Sequence, residues 1–109
     1  MNKPDSLQGA LDLLVLTILS RKGRLHGYAI MTAIEETSEG GLRVEEGSLY
    51  PALRRMEESG WLQAKWVTRD AGRRARMYGL TALGKKQLAA ETSRWQAGTA
   101  AVNRVLKMA

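Results

Sequence analysis

Hydrophobic residues in the first third of the chain follow helical spacing in two segments. Residues 7–22 form the first predicted helix, and its apolar positions cover nearly the whole circumference. A helix that is apolar all round is buried on more than one side, and one domain of this size can hardly cover it alone. Gly23 ends this helix, and residues 26–38 form a second helix with Ile30 and Ile34 facing inward. The first helix therefore predicts a partner subunit.

Residues 46–60 predict a third helix with one apolar and one polar side. Leu49, Leu53 and Met56 follow the i, i+4, i+7 spacing of an apolar stripe. Pro51 falls close to the first turn, where a missing backbone N–H costs little. The opposite side of the helix presents Ser48, Tyr50, Pro51, Arg54 and Arg55. This polar side is expected to contact another molecule.

Two short strands and a long helix are predicted in the second half of the chain. Residues 61–68 alternate apolar and polar positions, residues 76–80 form a second short strand, and Asp70–Ala71–Gly72 is a turn signal between them. Thr81 is a candidate N-cap for a helix from Ala82 to near Met108. The seam of that helix alternates steps of four and three residues: Leu88, Thr92, Trp95, Thr99, Val102 and Leu106.

The order of elements predicts a winged helix-turn-helix, mainly α with a small β-hairpin, followed by a long C-terminal dimerisation helix. In this fold the third helix enters the DNA major groove and the hairpin, or wing, lies over the flanking backbone. We therefore expect a DNA-binding domain in residues 1–80 and the dimerisation helix in residues 81–109. The wing tip carries four arginines, which suit phosphates or a narrow minor groove, although a solvated basic turn is the alternative. They are Arg69, Arg73, Arg74 and Arg76.

The charge of the chain is concentrated in its second half. The formal net charge is +6, and residues 61–109 hold ten of the 17 basic residues but only two of the 11 acidic ones. A basic half on a small domain indicates a polyanionic partner, most often nucleic acid, although ribosome-associated and membrane-surface proteins share this pattern. The chain has no cysteine, no signal-peptide pattern and no apolar run of membrane-spanning length, so a cytoplasmic protein is expected.

Chemistry of the kind that enzymes use is not apparent. The chain has one histidine, no cysteine, no metal-ligand spacing and no phosphate-binding loop, so neither an enzyme nor a cofactor nor a metal site is expected. His26 is interpreted as a capping residue of the second helix. Besides DNA binding, the sequence leaves open a winged-helix module that binds proteins and an RNA-binding protein. The wing arginines favour a polyanion, and no set of stacking aromatics supports binding of single-stranded RNA.

Three segments together resemble the PadR family of bacterial transcriptional regulators: HGYAI (residues 26–30), EEGSLYPALRRMEESGWL (45–62) and GRRARMYGLTALGKKQL (72–88). The resemblance runs from about Leu7 to the end of the chain. It implies a winged-helix repressor that binds a roughly palindromic operator as a homodimer and often responds to a small molecule. Glu46 departs from the family pattern, in which Ser or Asn often precedes the glycine of this helix.

The resemblance also implies roles for individual residues. Tyr28 and Tyr50 match family tyrosines near the DNA backbone, and Arg73 and Arg74 match the basic wing. Trp95 falls where some short members place a tryptophan that lines a pore for flat aromatic compounds, while a plain interface anchor is the alternative. In this short subfamily the C-terminal helix packs on the N-terminal helix of the partner. The expected dimer interface comprises Leu11, Leu14, Val15, Leu88, Trp95, Val102 and Leu106.

Overall fold

A computed structural model describes the backbone of residues 3–108 and the side chains of residues 9–108, so the outer limits of the two expected domains, Met1 and Ala109, lie outside the described residues. The elements in chain order are α1 (Lys3–Lys22), β1 (Leu25–His26), α2 (Gly27–Thr37), α3 (Glu46–Glu58), β2 (Leu62–Thr68), a 3-10 turn (Asp70–Gly72), β3 (Arg74–Leu80) and α4 (Ala82–Lys107). The predicted fold class is confirmed: the chain is mostly helical, with a small antiparallel sheet and a long C-terminal helix.

The sheet has three strands in the order β1-β3-β2, rather than the two strands of the predicted hairpin. Strand β1 is only two residues long, too short for any alternation to reveal it, and Leu25 pairs with Tyr78. This pairing fixes the connection between α1 and α2 to the sheet. The hairpin itself extends further than predicted, because β3 begins at Arg74, which pairs with Thr68 of β2.

The helix ends follow the local signals in the sequence. Gly23 adopts a φ of 82° directly after α1, as a helix-ending glycine does. The Nδ1 atom of His26 accepts a hydrogen bond from the backbone N–H of Ala29 at 3.3 Å, which confirms its capping role. The Oγ1 atom of Thr81 accepts from the N–H of Gly84 at 2.9 Å at the start of α4. These groups satisfy N–H donors that a helix start leaves without a partner.

The core lies between α1, α2, α3 and one face of the sheet. Its completely buried side chains are Val15, Leu16, Ile30, Leu49, Leu53 and Met56. Helix α4 contributes Leu88, which packs partly buried against this core, and then runs on with its side chains mostly exposed. The molecule is accordingly elongated, 59 Å long against 29 and 27 Å in the other directions. Within residues 3–108, no helix is both long and apolar enough to cross a membrane.

Candidate nucleic-acid interface

The exposed side of α3 is the centre of the candidate interface. The other side of this helix carries Leu49, Leu53 and Met56, which are fully buried and fix the helix to the core. Pro51 lies in the second turn of the helix and cannot donate to the carbonyl of Gly47, an exposed residue. The predicted site residues that are exposed on and beside this helix are Tyr28, Ser48, Tyr50, Pro51 and Arg54.

Gly27 allows the ring of Tyr50 to lie against the start of α2. A Cβ atom at this position would lie 2.6 Å from both Cε1 and the hydroxyl oxygen of Tyr50, which is closer than van der Waals contact permits. The neighbouring Tyr28 is 65% exposed. The HGY motif thus has a physical explanation: His26 caps α2, Gly27 accommodates Tyr50, and Tyr28 stays open to solvent.

Gly27→Ala is expected to weaken duplex binding severalfold while lowering the free energy of unfolding by about 1 kcal/mol or less. The added methyl group displaces the Tyr50 ring, and this half-exposed ring can rotate toward solvent at little cost. Fluorescence anisotropy with a labelled duplex and urea unfolding measure the two effects. In a Tyr50→Ala background the same glycine substitution should have no further effect on binding. An equal loss in both backgrounds contradicts this explanation.

Arg55 does not belong to the free side of α3, and the prediction that it is available there is wrong. Its Nη1 and Nη2 atoms donate to Oδ2 and Oδ1 of Asp12 in α1, each at 2.9 Å. The hydrogen bonds that Arg55 donates to Asp12 raise the pKa of Arg55, and burial lowers this pKa by less. Asp12 is itself buried. Arg55 follows buried Ala52 by three residues, so it lies on the flank of α3 that adjoins α1.

A sequence signal for this pair existed in α1. Asp12 is a carboxylate whose neighbours along α1, Leu11 and Leu13, are apolar, and a buried carboxylate requires a cation or several hydrogen-bond donors. The signal predicts that a cationic partner exists, but it does not identify Arg55, which is 43 residues away along the chain.

The wing tip carries exposed cations, but the guanidinium group of Arg76 is paired with a carboxylate. Its Nη2 atom donates to Oε2 of Glu57 in α3 at 2.6 Å, so the prediction of a freely displayed Arg76 is wrong. The other predicted wing cations, Arg69, Arg73 and Arg74, are exposed and line one cleft at the tip. The backbone N–H of Arg69 donates to the carbonyl of Arg73 and closes the turn.

The wing reaches the same side of the molecule as the tyrosines. Arg69 lines a shallow depression together with Lys22, His26 and Tyr28.

Unlike Tyr28 and Tyr50, Tyr78 is buried, and this burial raises the pKa of its hydroxyl, which therefore stays neutral at physiological pH. Tyr78 is thus a core residue of β3, whereas Arg69 and Tyr28 line the same depression on the surface.

The residues predicted for a dimer interface divide into three groups by exposure. Val15 has no exposed surface in the single chain, so its inclusion in the interface is wrong: it packs inside the protomer's own core. Leu11, Leu14 and Leu88 are partly buried against that core. Three of the predicted residues are more than half exposed on α4: Trp95, Val102 and Leu106.

A groove of about 530 Å³ runs between α1 and α4. Gly9 and Ala10 of α1 form part of one wall, and Trp95 and Val102 of α4 form part of the other. The small residues leave room beside the indole ring. Glu91 also lines the groove and accepts hydrogen bonds from Gln87 and Arg94. Among the residues that the structure describes, no cluster of His, Cys, Asp or Glu is arranged to hold a metal ion.

Residues 15–90 match the transcriptional regulator PadR-like family, and the chain belongs to this family. It is similar to the structure of a transcriptional regulator from Clostridium thermocellum, with a TM-score of 0.83 and 24% identity over 92% of this chain and 96% of that one. A PadR family transcription regulator from Clostridium difficile gives a TM-score of 0.71 and 29% identity, over 88% and 97%. An uncharacterized protein of Lysinibacillus sphaericus is 27% identical over 87% of this chain and 86% of its own length. The chain is therefore a member of a family of DNA-binding transcriptional regulators.

Proposed function

We propose that this protein represses transcription by binding a palindromic operator as a homodimer, with α3 in the major groove and the wing on the flanking backbone. The observation that carries this proposal is that a tyrosine near α3 and an arginine of the wing lie on the same side of the molecule. Tyr28, which follows the glycine that packs against Tyr50 of α3, and Arg69 of the wing line a single depression. A duplex lying along that side meets helix and wing together, which is the docking geometry of winged helix-turn-helix proteins. Repression rests on the family resemblance.

Electrostatics supports a duplex as the ligand and limits how it docks. Arg54 on α3 and the three exposed arginines of the wing offer contacts to base edges and phosphates. Glu46 in the first turn of α3 favours the helix through its dipole but disfavours a phosphate at the same place. We therefore place the phosphate contacts on the wing and the tyrosines, and the base contacts on Arg54 and Ser48.

Selection of bound sequences from a random duplex pool tests this function. The selected duplex is expected to contain two half-sites about 10 bp apart, or a multiple of it, and to bind two chains. Arg54→Ala should lower affinity for that duplex by about 1–3 kcal/mol while changing random-duplex affinity much less. Arg73→Ala should weaken both and reduce the log–log salt slope by about one. Equal losses on both duplexes for both variants contradict the assignment.

Dimer formation is supported by the exposed apolar residues at the end of α4. The last 14 described positions of this helix and its cap include large apolar side chains that are 54–81% exposed. They are Trp95, Val102, Val105, Leu106 and Met108. An exposed apolar strip of this length is typical of an interface. In this proposal α4 is the dimerisation helix, residues 9–80 hold the DNA-binding face, and Leu11 and Leu14 of α1 receive the partner.

A protein-interaction module remains the alternative function. Its partner would contact the same exposed side of α3 without DNA specificity. The salt dependence separates the two cases, because a duplex ligand releases counterions and its affinity falls steeply with salt. A chain that selects no sequence and shows no salt dependence with any duplex supports the protein-interaction function.

We further propose that the α1–α4 groove admits a small aromatic effector, because Trp95 lines this groove opposite the small residues Gly9 and Ala10 of α1. Titration of flat aromatic compounds is expected to quench tryptophan fluorescence by stacking on this ring. Trp95→Ala should abolish the quench, while Trp66→Phe, which changes the wing, should preserve it. A quench that persists in Trp95→Ala, or no quench with any compound, leaves Trp95 as a packing residue.

A further inference from the structure

The outer half of the wing needs a contact that fixes its direction. Beyond the core, β2 and β3 continue as a two-stranded ribbon from Trp66 to Arg76, and such a ribbon is marginal in water without packing. Its twist is also variable, so the position of the tip is not set by backbone pairing alone. Some side chain must therefore connect the ribbon to the rest of the molecule.

Trp66 lies on the face of the ribbon that continues the core. Leu62 and Tyr78 are buried on that face, and side chains two residues apart on a strand share a face, which brings Trp66 and Arg76 to the same side. The two are directly paired in the register. Trp66 is nevertheless 55% exposed, because the ribbon has passed the edge of the core at this point. Trp66 is therefore not a core residue.

The ring of Trp66 joins two arginines, and one of these joins α3. The Cζ atom of Arg74 lies 4.8 Å from the ring centroid, and that of Arg76 lies 5.5 Å from it. These distances are within the range of cation–π attraction. Arg76 in turn donates to Glu57 in the last turn of α3 at 2.6 Å. A continuous chain of contacts therefore runs from the wing, through Trp66 and Arg76, to α3.

We propose that Trp66, Arg76 and Glu57 are positioning residues that fix the angle between the wing and α3, and so set the spacing between wing and helix contacts on the duplex. This inference rests on the proposed function. It assigns Glu57 a role opposite to that of an ordinary surface carboxylate. A carboxylate near DNA repels phosphate, whereas Glu57 supports binding by holding Arg76.

Glu57→Gln distinguishes the two roles of this carboxylate by the sign of its effect. Removal of a repelling charge tightens binding to every duplex, while removal of a positioning contact weakens binding to the selected duplex. We expect Glu57→Gln to lose about 3- to 10-fold in affinity for the selected duplex, with little change for random duplexes. The matched control is Glu58→Gln, at an exposed neighbouring position, which should bind both duplexes somewhat more tightly.

Trp66 variants test the middle of the chain of contacts. Trp66→Leu removes the ring but no charge, and is expected to reproduce the loss seen with Glu57→Gln, whereas Trp66→Phe should retain most of the affinity. The double variant Trp66→Leu/Glu57→Gln should lose no more than either single variant, because both interrupt one path. In the DNA-free protein, the single variants Trp66→Leu and Glu57→Gln should each accelerate hydrogen exchange of the wing amides between positions 66 and 76.

The outcomes separate this inference from the function on which it rests. Wild-type protein that binds no duplex overturns both. Wild-type protein that binds a selected duplex, with Glu57→Gln as tight as Glu58→Gln, overturns the positioning role alone. Additive losses in the double variant, with unchanged wing exchange, also overturn it and make Trp66 a direct DNA contact.

Discussion

Arg55→Ala is expected to destabilise the protein more than Asp12→Ala, although both variants break the same ion pair. The arginine variant leaves the Asp12 carboxylate, whose side chain is 8% exposed, without a cation in the protein interior. Removal of one partner from a buried pair costs about 3–5 kcal/mol. The aspartate variant leaves the Arg55 guanidinium, whose side chain is 36% exposed and can turn toward water. The Asp12→Ala variant should therefore lose roughly 1–2 kcal/mol of its free energy of unfolding.

Urea unfolding of the two single variants and of Asp12→Leu/Arg55→Met measures this asymmetry. The double variant replaces the pair with apolar groups of similar size, so it should be more stable than Arg55→Ala. Arg54→Ala is the matched control, since the neighbouring arginine is exposed and its loss should change stability by no more than about 0.5 kcal/mol. If Arg55→Ala behaves like Arg54→Ala, the pair does not anchor α3.

Gly84→Ala is expected to lower the free energy of unfolding by about 2–3 kcal/mol, although alanine is the better helix former. A Cβ atom here would lie 2.2 Å from the carbonyl oxygen of Trp61 and 2.8 Å from Cδ1 of Leu80. The carbonyl is held in its orientation, because it accepts a hydrogen bond from the backbone N–H of Thr81 at 3.1 Å. The start of α4 must therefore move away from the sheet.

Gly98→Ala provides the contrasting change in the same helix. Apart from the backbone of α4 itself, no atom of the described residues lies within 4 Å of a Cβ built at Gly98, so the substitution adds helix propensity without a clash and should stabilise a single chain by about 0.5–1 kcal/mol. Chemical unfolding of both variants at one protein concentration compares them. A stable Gly84→Ala protein would mean that α4 does not pack closely on Trp61.

Local signals in the sequence predicted most of the fold, because helix periodicity, caps and turns depend on neighbouring residues. Gly23, His26 and Thr81 each act within four positions of the helix end that they define. The alternation in the second half likewise predicted the hairpin. Strand β1 was missed as a regular element, since two residues give no pattern and its pairing with β3 joins distant parts of the chain.

The site was harder to predict because charged side chains are defined by contacts across the fold. Exposure on the polar side of a helix correctly placed Arg54, but the same reasoning misplaced Arg55, which reaches across to α1. Arg76 was misassigned for the same reason, since its partner Glu57 lies in another element. The family resemblance also placed Val15 in the dimer interface, although the protomer's own α2, α3 and sheet already bury α1 there.

Helix α1 carries two neighbouring residues with different attachments. Asp12 forms an ion pair with Arg55 of α3, and the next residue, Leu13, lines the groove between α1 and α4. One helix therefore contacts both α3 and the α1–α4 groove. In the proposed function, an effector that binds this groove and lowers operator affinity by some factor must itself bind more weakly, by the same factor, when the operator is bound.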